Sequence, residues 1–169
     1  MAISKKLLTH LDTSKIKYAI IEHKTVYTAY DVAQTLKKKL DTVAKSILII
    51  ADRKHLIVVL PGHRRVDLSK LKKLLKAKKI EIAKEHVQQK VLQIKKAALT
   101  PFGVLYKNIP VMMEKSLLAV KKVMVPSSSF EHSLEMSGKE LWKATAASIA
   151  AFSESGKKIK KLAKKKARV

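Results

Sequence analysis

Lys45 stands in an unusual place for a cation. It sits near the start of the run AKSILIIA (Ala44–Ala51), whose other residues are apolar apart from Ser46. A β-branched run of that length predicts a buried strand. A lysine opening such a strand either snorkels its ammonium to the edge or points it into a cleft, because an unpaired ammonium in an apolar interior is costly. In a cleft it would clamp a carbonyl, ribose or phosphate oxygen. Most other lysines fall in runs such as Lys37–Lys39 and Lys70–Lys79. Those runs predict solvated faces that also attract phosphate.

The remaining chemistry is sparse. With no cysteine in the chain, disulfides, thiolate nucleophiles and zinc–sulfur sites are excluded. The histidines are His10, His23, His55, His63, His86 and His132, and no two have the i, i+4 spacing of a helical metal pair. Glu85-His86 and Glu131-His132 are adjacent pairs; neighbouring side chains diverge on a helix or strand, so surface positions are expected for both. Phosphate-cradling glycine loops and the nucleophile-elbow pattern are absent, and there are only four glycines. No local pattern marks a Ser-His-Asp triad. Neither a metal nor a cofactor is expected.

The charge balance points to a polyanion. The chain has 169 residues, with 37 Lys plus Arg against 13 Asp plus Glu, a net charge of +24. Nucleic acid is the expected partner rather than an acidic membrane. No stretch of about 18 apolar residues exists to span a bilayer. The N-terminal MAISKKLLTHLDTSK lacks the apolar core of a secretory signal, so a cytoplasmic location is expected. A hydrophobic content of 47% supplies a core for one domain. Composition breaks near Gly156, and Lys157 to Arg168 hold eight basic residues and no acid. This predicts a domain over 1–153 and a Lys-rich, largely disordered tail over 154–169. The tail's sizeable apolar anchors, Ile159, Leu162 and Val169, are too few for membrane binding.

Periodicity supplies the elements that must position these groups. Ile3, Leu7, Leu8 and Leu11 share a helical face over 2–12. Tyr18–Glu22 reads as a strand. Thr28 and Asp31 form a capping pattern for a helix reaching about Lys38. Ala44–Ala51 and His55–Leu60 pair as a hairpin around Asp52-Arg53-Lys54. Asp67 caps a helix bearing Leu68, Leu71, Leu74 and Leu75, and another helix follows near Lys84–Leu92. The segment 95–113 carries loop punctuation. Val120–Val125 and His132–Met136 read as strands around a Ser-rich turn. Ser137 caps a last helix that passes Trp142 and continues through the Ala-rich stretch to about Phe152. Together these predict a mixed α/β domain with an antiparallel hairpin and no doubly wound parallel sheet.

Four stretches, in order, resemble the YbaK / prolyl-tRNA synthetase editing-domain family over roughly residues 15–145. They are EHKTVYTA (Glu22–Ala29), VAKSIL (Val43–Leu48), PGHRRVDLSKL (Pro61–Leu71) and AALTPFG (Ala97–Gly103), the last followed by an I-P-V strand and the EHSLEMS segment. The resemblance implies a largely antiparallel sheet curled into a partial barrel with surrounding helices. It also implies an activity: hydrolysis of the ester joining a wrong, small amino acid to the terminal ribose of a tRNA, with Cys- or Ala-tRNA(Pro) as the type of substrate. Aminoacyl-tRNA is then the partner, with an aminoacyl-tRNA synthetase as a second.

Residue by residue, the resemblance makes Lys45 the functional lysine. It sets substrate against His23, Tyr27, Thr28 and Ser46, against Ala97, Thr100, Pro101, Phe102 and Gly103, and against Ser128, Ser129 and Phe130. The resemblance implies that water, assisted by the tRNA's own ribose hydroxyl, attacks the carbonyl while Lys45 and backbone N–H groups of the Ala97-x-x-x-Pro101 loop orient the terminal ribose and the developing oxyanion. Arg64, Arg65, Lys70, Lys95 and Lys96, with Lys157, Lys158, Lys160 and Lys161 of the tail, are the cations expected to meet phosphates. Four positions, at three places, depart from the family pattern, with Ser129 of the late turn retained. Ala97 replaces a loop glycine, Ser128-Ser129-Phe130 replaces Gly-Ser-His, and Ser46 stands where some branches have asparagine. The alternative reading on the same fold is a non-catalytic RNA-binding module whose pocket Ala97 and Phe130 have narrowed.

Overall fold

A computed structural model describes residues 2–156 of the chain. Helix α1 (Lys5–Thr13) starts at Ser4, whose hydroxyl accepts from the Leu7 N–H, and it buries Leu7 and Leu11. Strand β1 (Ala19–Glu22) leads to α2 (Ala29–Thr35), capped by Thr28. A 3-10 turn at Leu40–Thr42 then delivers the chain into β2 (Ala44–Ala51).

The two apolar runs form the predicted hairpin. Strand β2 pairs antiparallel with β3 (Lys54–Pro61) along its whole length, from Ala44 opposite Pro61 to Ala51 opposite Lys54. Asp52 and Arg53 take φ of 48° and 68°, the left-handed pair that a two-residue hairpin turn needs. The Asp52 carboxylate accepts from the Lys78 and Lys79 N–H groups, which hold its pKa below the usual carboxylate value. This contact ties the turn to the start of β5 (Ile80–Ile82), which flanks β2. Between β3 and β5 lie β4 (Arg64–Val66) and α3 (Leu68–Leu75), the helix capped by Asp67.

The remaining elements complete three sheets. After α4 (Glu85–Leu92) come β6 (Val111–Glu114), β7 (Val123–Pro126), β8 (His132–Met136), α5 (Gly138–Thr145), β9 (Ser148–Ala150) and β10 (Ser153–Ser155). The main sheet runs β5-β2-β3-β6-β9; the others run β1-β8-β7 and β10-β4. Only β3–β6 and β6–β9 pair parallel, so the architecture is mixed and largely antiparallel, as the resemblance implied. Val43, just before β2, bridges to Met124 of β7 and so joins the main sheet to the three-stranded one.

The main sheet is the middle layer. Ala44 and Leu48 of β2, with Ile57 and Val59 of β3, face a core that includes Leu7 and Leu11 of α1. Ile49, Val58 and Leu60 face a second core closed by Leu71 of α3 and by Phe152. Alternation along β2 turns Lys45 and Ser46 to opposite faces, but at the sheet's end both border the joint with β7. A third cluster, Ala33, Val43 and Met124, seats α2 over the joint between the two sheets.

The C-terminal helix is shorter than its composition predicts. It stops at Thr145 because Ala146 turns left-handed, with φ of 50°. The Ala-rich stretch beyond it is strand: Ser148–Ala150 add to β6, and β10 pairs with β4. Alanine's helix preference is worth less than these ladder bonds and the burial of Phe152, which is fully enclosed. At the other end, α1 begins three residues later than expected, and α2 stops near Lys37, which turns left-handed at φ 54°.

Candidate active site

The joint between the sheets holds a cavity of about 300 Å³. Its wall comes from five places: the end of β1 with the start of α2, the first residues of β2, Gln88 of α4, the stretch Ala97–Leu99, and the turn between β7 and β8. Lys45 enters from β2, opposite Leu60. Its Nζ donates to the Gly62 carbonyl at 3.3 Å. Among the described residues no carboxylate lines the cavity. Partial burial without a counter-ion lowers the Lys45 pKa from its ordinary 10.5. The ammonium therefore offers its remaining donors to whatever occupies the cavity. Of the two sequence alternatives, the cleft is the one realised.

Ser46 lines the same cavity, and its Oγ is the one buried side-chain polar atom without a partner among the described residues. A buried hydroxyl left unpaired costs about 1–3 kcal/mol. Such a group in a cavity wall suits a ligand that completes it. His23 is fixed differently. Its Nδ1 lies 2.7 Å from the Lys24 carbonyl, which can only accept, so Nδ1 carries the proton. Nε2 lies 2.8 Å from the Ser133 hydroxyl, which bonds it from the other side.

The β7–β8 turn is held by its own hydroxyls. Ser127 donates to the His132 carbonyl at 2.6 Å and accepts from the Ser129 N–H. The Ser129 hydroxyl meets His132 Nδ1 at 2.8 Å. The Val26 N–H donates to the Phe130 carbonyl, which ties this turn to the segment before α2. Tyr27, next along, packs its ring on Phe130 with centroids 4.9 Å apart. Thr28 lines the cavity while capping α2 through the Asp31 N–H.

Both loop positions that depart from glycine sit in the left-handed region, Ala97 at φ 63° and Ser128 at φ 72°. Both line the cavity. The backbone therefore keeps a conformation that favours glycine and tolerates the Cβ strain, as functional loops often do. Replacing Ala97 with glycine relieves a left-handed alanine. The expected gain is about 1 kcal/mol, read as a rise in Tm of about 2–4 °C by calorimetry. An unchanged or lower Tm would show that the loop is not strained there.

The expected site residues divide. Lys45, Ser46, His23, Tyr27, Thr28, Ala97, Ser128, Ser129 and Phe130 line one cavity. Thr100, Pro101, Phe102 and Gly103 do not; they are buried outside its lining. The Thr100 N–H donates to the Tyr106 hydroxyl, and Phe102 is fully enclosed, so this stretch braces the Ala97–Leu99 wall. Gly103 lies so close to Ile109 that an added Cβ would stand 2.1 Å from its carbonyl oxygen.

The expected phosphate contacts divide as well. Arg64 donates from Nε to the Ser153 hydroxyl at 2.6 Å and from Nη2 to its carbonyl, and Arg65 pairs with Glu154. Both are thus engaged in holding β4 to β10. Lys70, Lys95 and Lys96 are exposed, and Lys96 lies 3.7 Å from Glu85. Lys95 borders a smaller crevice of about 200 Å³ that shares Ala98 and Ser128 with the main cavity. Lys157, Lys158, Lys160 and Lys161 lie outside the described residues.

Sequence reasoning missed His132, Ser127, Ser133 and Gln88, all of which line the cavity. His132 was expected at the surface; it is half-buried and bonded to Ser129. A signal was present. His132 has the two-residue spacing of Leu134 and Met136, which are both in the core, so it shares their face of β8. Among the described residues no group of three His, Cys, Asp or Glu could hold a metal, and no helix is long and apolar enough to cross a membrane.

Comparison with known proteins gives this geometry a context. The aminoacyl-tRNA editing domain family matches residues 23–144, a span that contains the whole cavity wall. The prolyl-tRNA editing protein ProX of Acetoanaerobium sticklandii is 28% identical over 148 residues, which is 85% of this chain and 90% of that protein. The proline–tRNA ligase of Aquifex aeolicus is 30% identical over 101 residues, 59% of this chain but only 18% of the ligase. Among solved structures, a hypothetical protein shares the fold with a TM-score of 0.82 at 22% identity, covering 89% of this chain and all of its own.

Proposed function

The chain belongs to the aminoacyl-tRNA editing domain family, and from that premise we propose that it is a trans-acting deacylase for tRNA mischarged with a small amino acid. Cysteinyl- or alanyl-tRNA(Pro) is the substrate type. The observation that carries the reading is the half-buried Lys45 ammonium, with no carboxylate partner among the described residues, in a cavity beside the unpaired Ser46 hydroxyl. A cation there attracts the ester carbonyl and the oxyanion that forms from it, while repelling the substrate's α-ammonium toward the hydroxyls of the opposite wall.

In this reading the protein positions rather than attacks. A water oxygen adds to the ester carbonyl, with the ribose 2′-hydroxyl orienting it. The carbon–oxygen bond to the 3′-position then breaks, and the 3′-oxygen takes the proton lost by the water. Lys45 stabilises the developing negative charge. The Cβ atoms of Ala97 and Ser128 limit the room for the amino acid. Size selection in such a pocket is modest, about 1–3 kcal/mol per methylene. The likeness to ProX and to part of a proline–tRNA ligase supports tRNA(Pro) and a prolyl-tRNA synthetase as partners. Lys70, Lys95 and Lys96, with Lys157, Lys158, Lys160 and Lys161, are assigned to the phosphates, which makes binding salt-sensitive.

The test is hydrolysis of tRNA(Pro) charged with radiolabelled alanine, cysteine, serine or proline. Release of alanine or cysteine, with prolyl-tRNA(Pro) spared, is expected. Salt-sensitive binding of all four without release would overturn the reading in favour of a non-catalytic RNA-binding module.

A further inference from the structure

Tyr27 is the one large apolar side chain that both lines the cavity and stands exposed, at 58%. The other exposed large apolar residues of the described chain, Ile20, Tyr30, Leu74, Ile82, Val91 and Trp142, do not line it. An aromatic ring at a cavity's lip needs an explanation in a chain with only eight aromatic residues. Core packing does not supply one, because more than half of the residue is exposed.

The ring is also held in place. On one side it leans on Phe130 at an interplanar angle of 59°. Its backbone is pinned before and after, by the Val26 N–H on the Phe130 carbonyl and by the Thr28 cap of α2. A fixed, solvent-facing aromatic ring is the surface on which an unstacked nucleic-acid base settles.

We propose that Tyr27 is the stacking platform for the 3′-terminal adenine of the tRNA, a positioning residue that sets the terminal ribose between the lip and Lys45. The inference rests on the deacylase reading for the identity of the ligand. The chemistry fits that ligand in two respects. A tRNA ends in an unpaired adenosine, whose base has to lie outside a cavity that its aminoacyl group enters. Stacking needs no hydrogen-bond partner on the base's edge, so an exposed ring at the lip is enough to hold the base there.

The test uses uncharged RNA, so that it stands apart from catalysis. The probes are an acceptor-stem hairpin ending in CCA and the same hairpin with an abasic 3′-terminal residue. Wild-type protein is expected to bind the CCA hairpin at least about fivefold more tightly, by fluorescence anisotropy. Tyr27→Leu should remove that preference and Tyr27→Phe should keep it, since the phenyl ring stacks equally well. With charged tRNA, Tyr27→Leu should raise KM more than it lowers kcat. Equal binding of the two hairpins by wild type, or a preference that survives Tyr27→Leu, overturns the proposal and leaves the deacylase reading intact. A wild-type preference lost in Tyr27→Leu, in a protein that hydrolyses no charged tRNA, would sustain the platform and overturn the deacylase reading.

Discussion

Replacing Lys45 with methionine is expected to reduce deacylation by about 10²- to 10³-fold, the usual cost of removing one preorganised group from a developing oxyanion. Binding of uncharged tRNA should persist, because many other cations remain. The same change should raise the protein's thermal stability. Burial without a counter-ion lowers the Lys45 pKa, so the folded chain holds this proton less tightly than the unfolded chain does. Between the lowered value and 10.5 the unfolded state binds more protons, and stability therefore rises with pH across that window. Below the window the charged lysine is a constant cost to the fold, and methionine, of similar length, removes it. The wild type should thus gain stability on alkaline titration where Lys45→Met does not. Its activity should fall over the same window as Lys45 loses its charge. Denaturation curves at a series of pH values, paired with hydrolysis rates, check both. A variant that loses activity and stability together would mark Lys45 as a structural residue.

The second large effect belongs to Gly138, the first residue of α5. It packs against the 3-10 turn at Lys115–Ala119, and its N–H donates to the Val120 carbonyl at 2.9 Å. An added Cβ would stand 1.8 Å from the Leu117 carbonyl oxygen and 2.7 Å from its carbon. Both are backbone atoms, so no rotamer change relieves the clash. Gly138→Ala is expected to cost at least the upper end of the ~1–3 kcal/mol typical of overpacking, lowering Tm by roughly 6–12 °C. The helix follows directly on β8, which carries His132 and Ser133 to the cavity. Displacement at Gly138 therefore reaches the site as well. A Tm within about 1 °C of wild type would contradict the close packing described here.

Legibility in the sequence followed the range of the forces involved. The β2–β3 hairpin was readable because two dense β-branched runs flank a short turn, and its pairing is local. Lys45 was readable because it is the only charge in its run. Strands β9 and β10 were not, because their partners β6 and β4 are distant in sequence and alanine reads as helix. Arg64 and Arg65, expected at phosphates, each also bond a residue 89 positions away. No local pattern reports such a contact. The stretch Thr100–Gly103 sits next to the cavity wall in sequence but outside the cavity's lining in space. His132 is the opposite case. Pairing it with Glu131 suggested the surface, whereas the two-residue period of β8 places it with the core.

The most direct test of the account is single-turnover hydrolysis of alanyl- and cysteinyl-tRNA(Pro), each prepared with adenosine and with 2′-deoxyadenosine at the 3′-end. If the cavity only positions the ester, wild-type protein releases the amino acid from the ribose form and leaves the deoxy form intact. Equal release from both forms would contradict substrate assistance and require a protein group, with His23 and His132 of the cavity wall as candidates, to activate the water. Release from neither would remove deacylation itself.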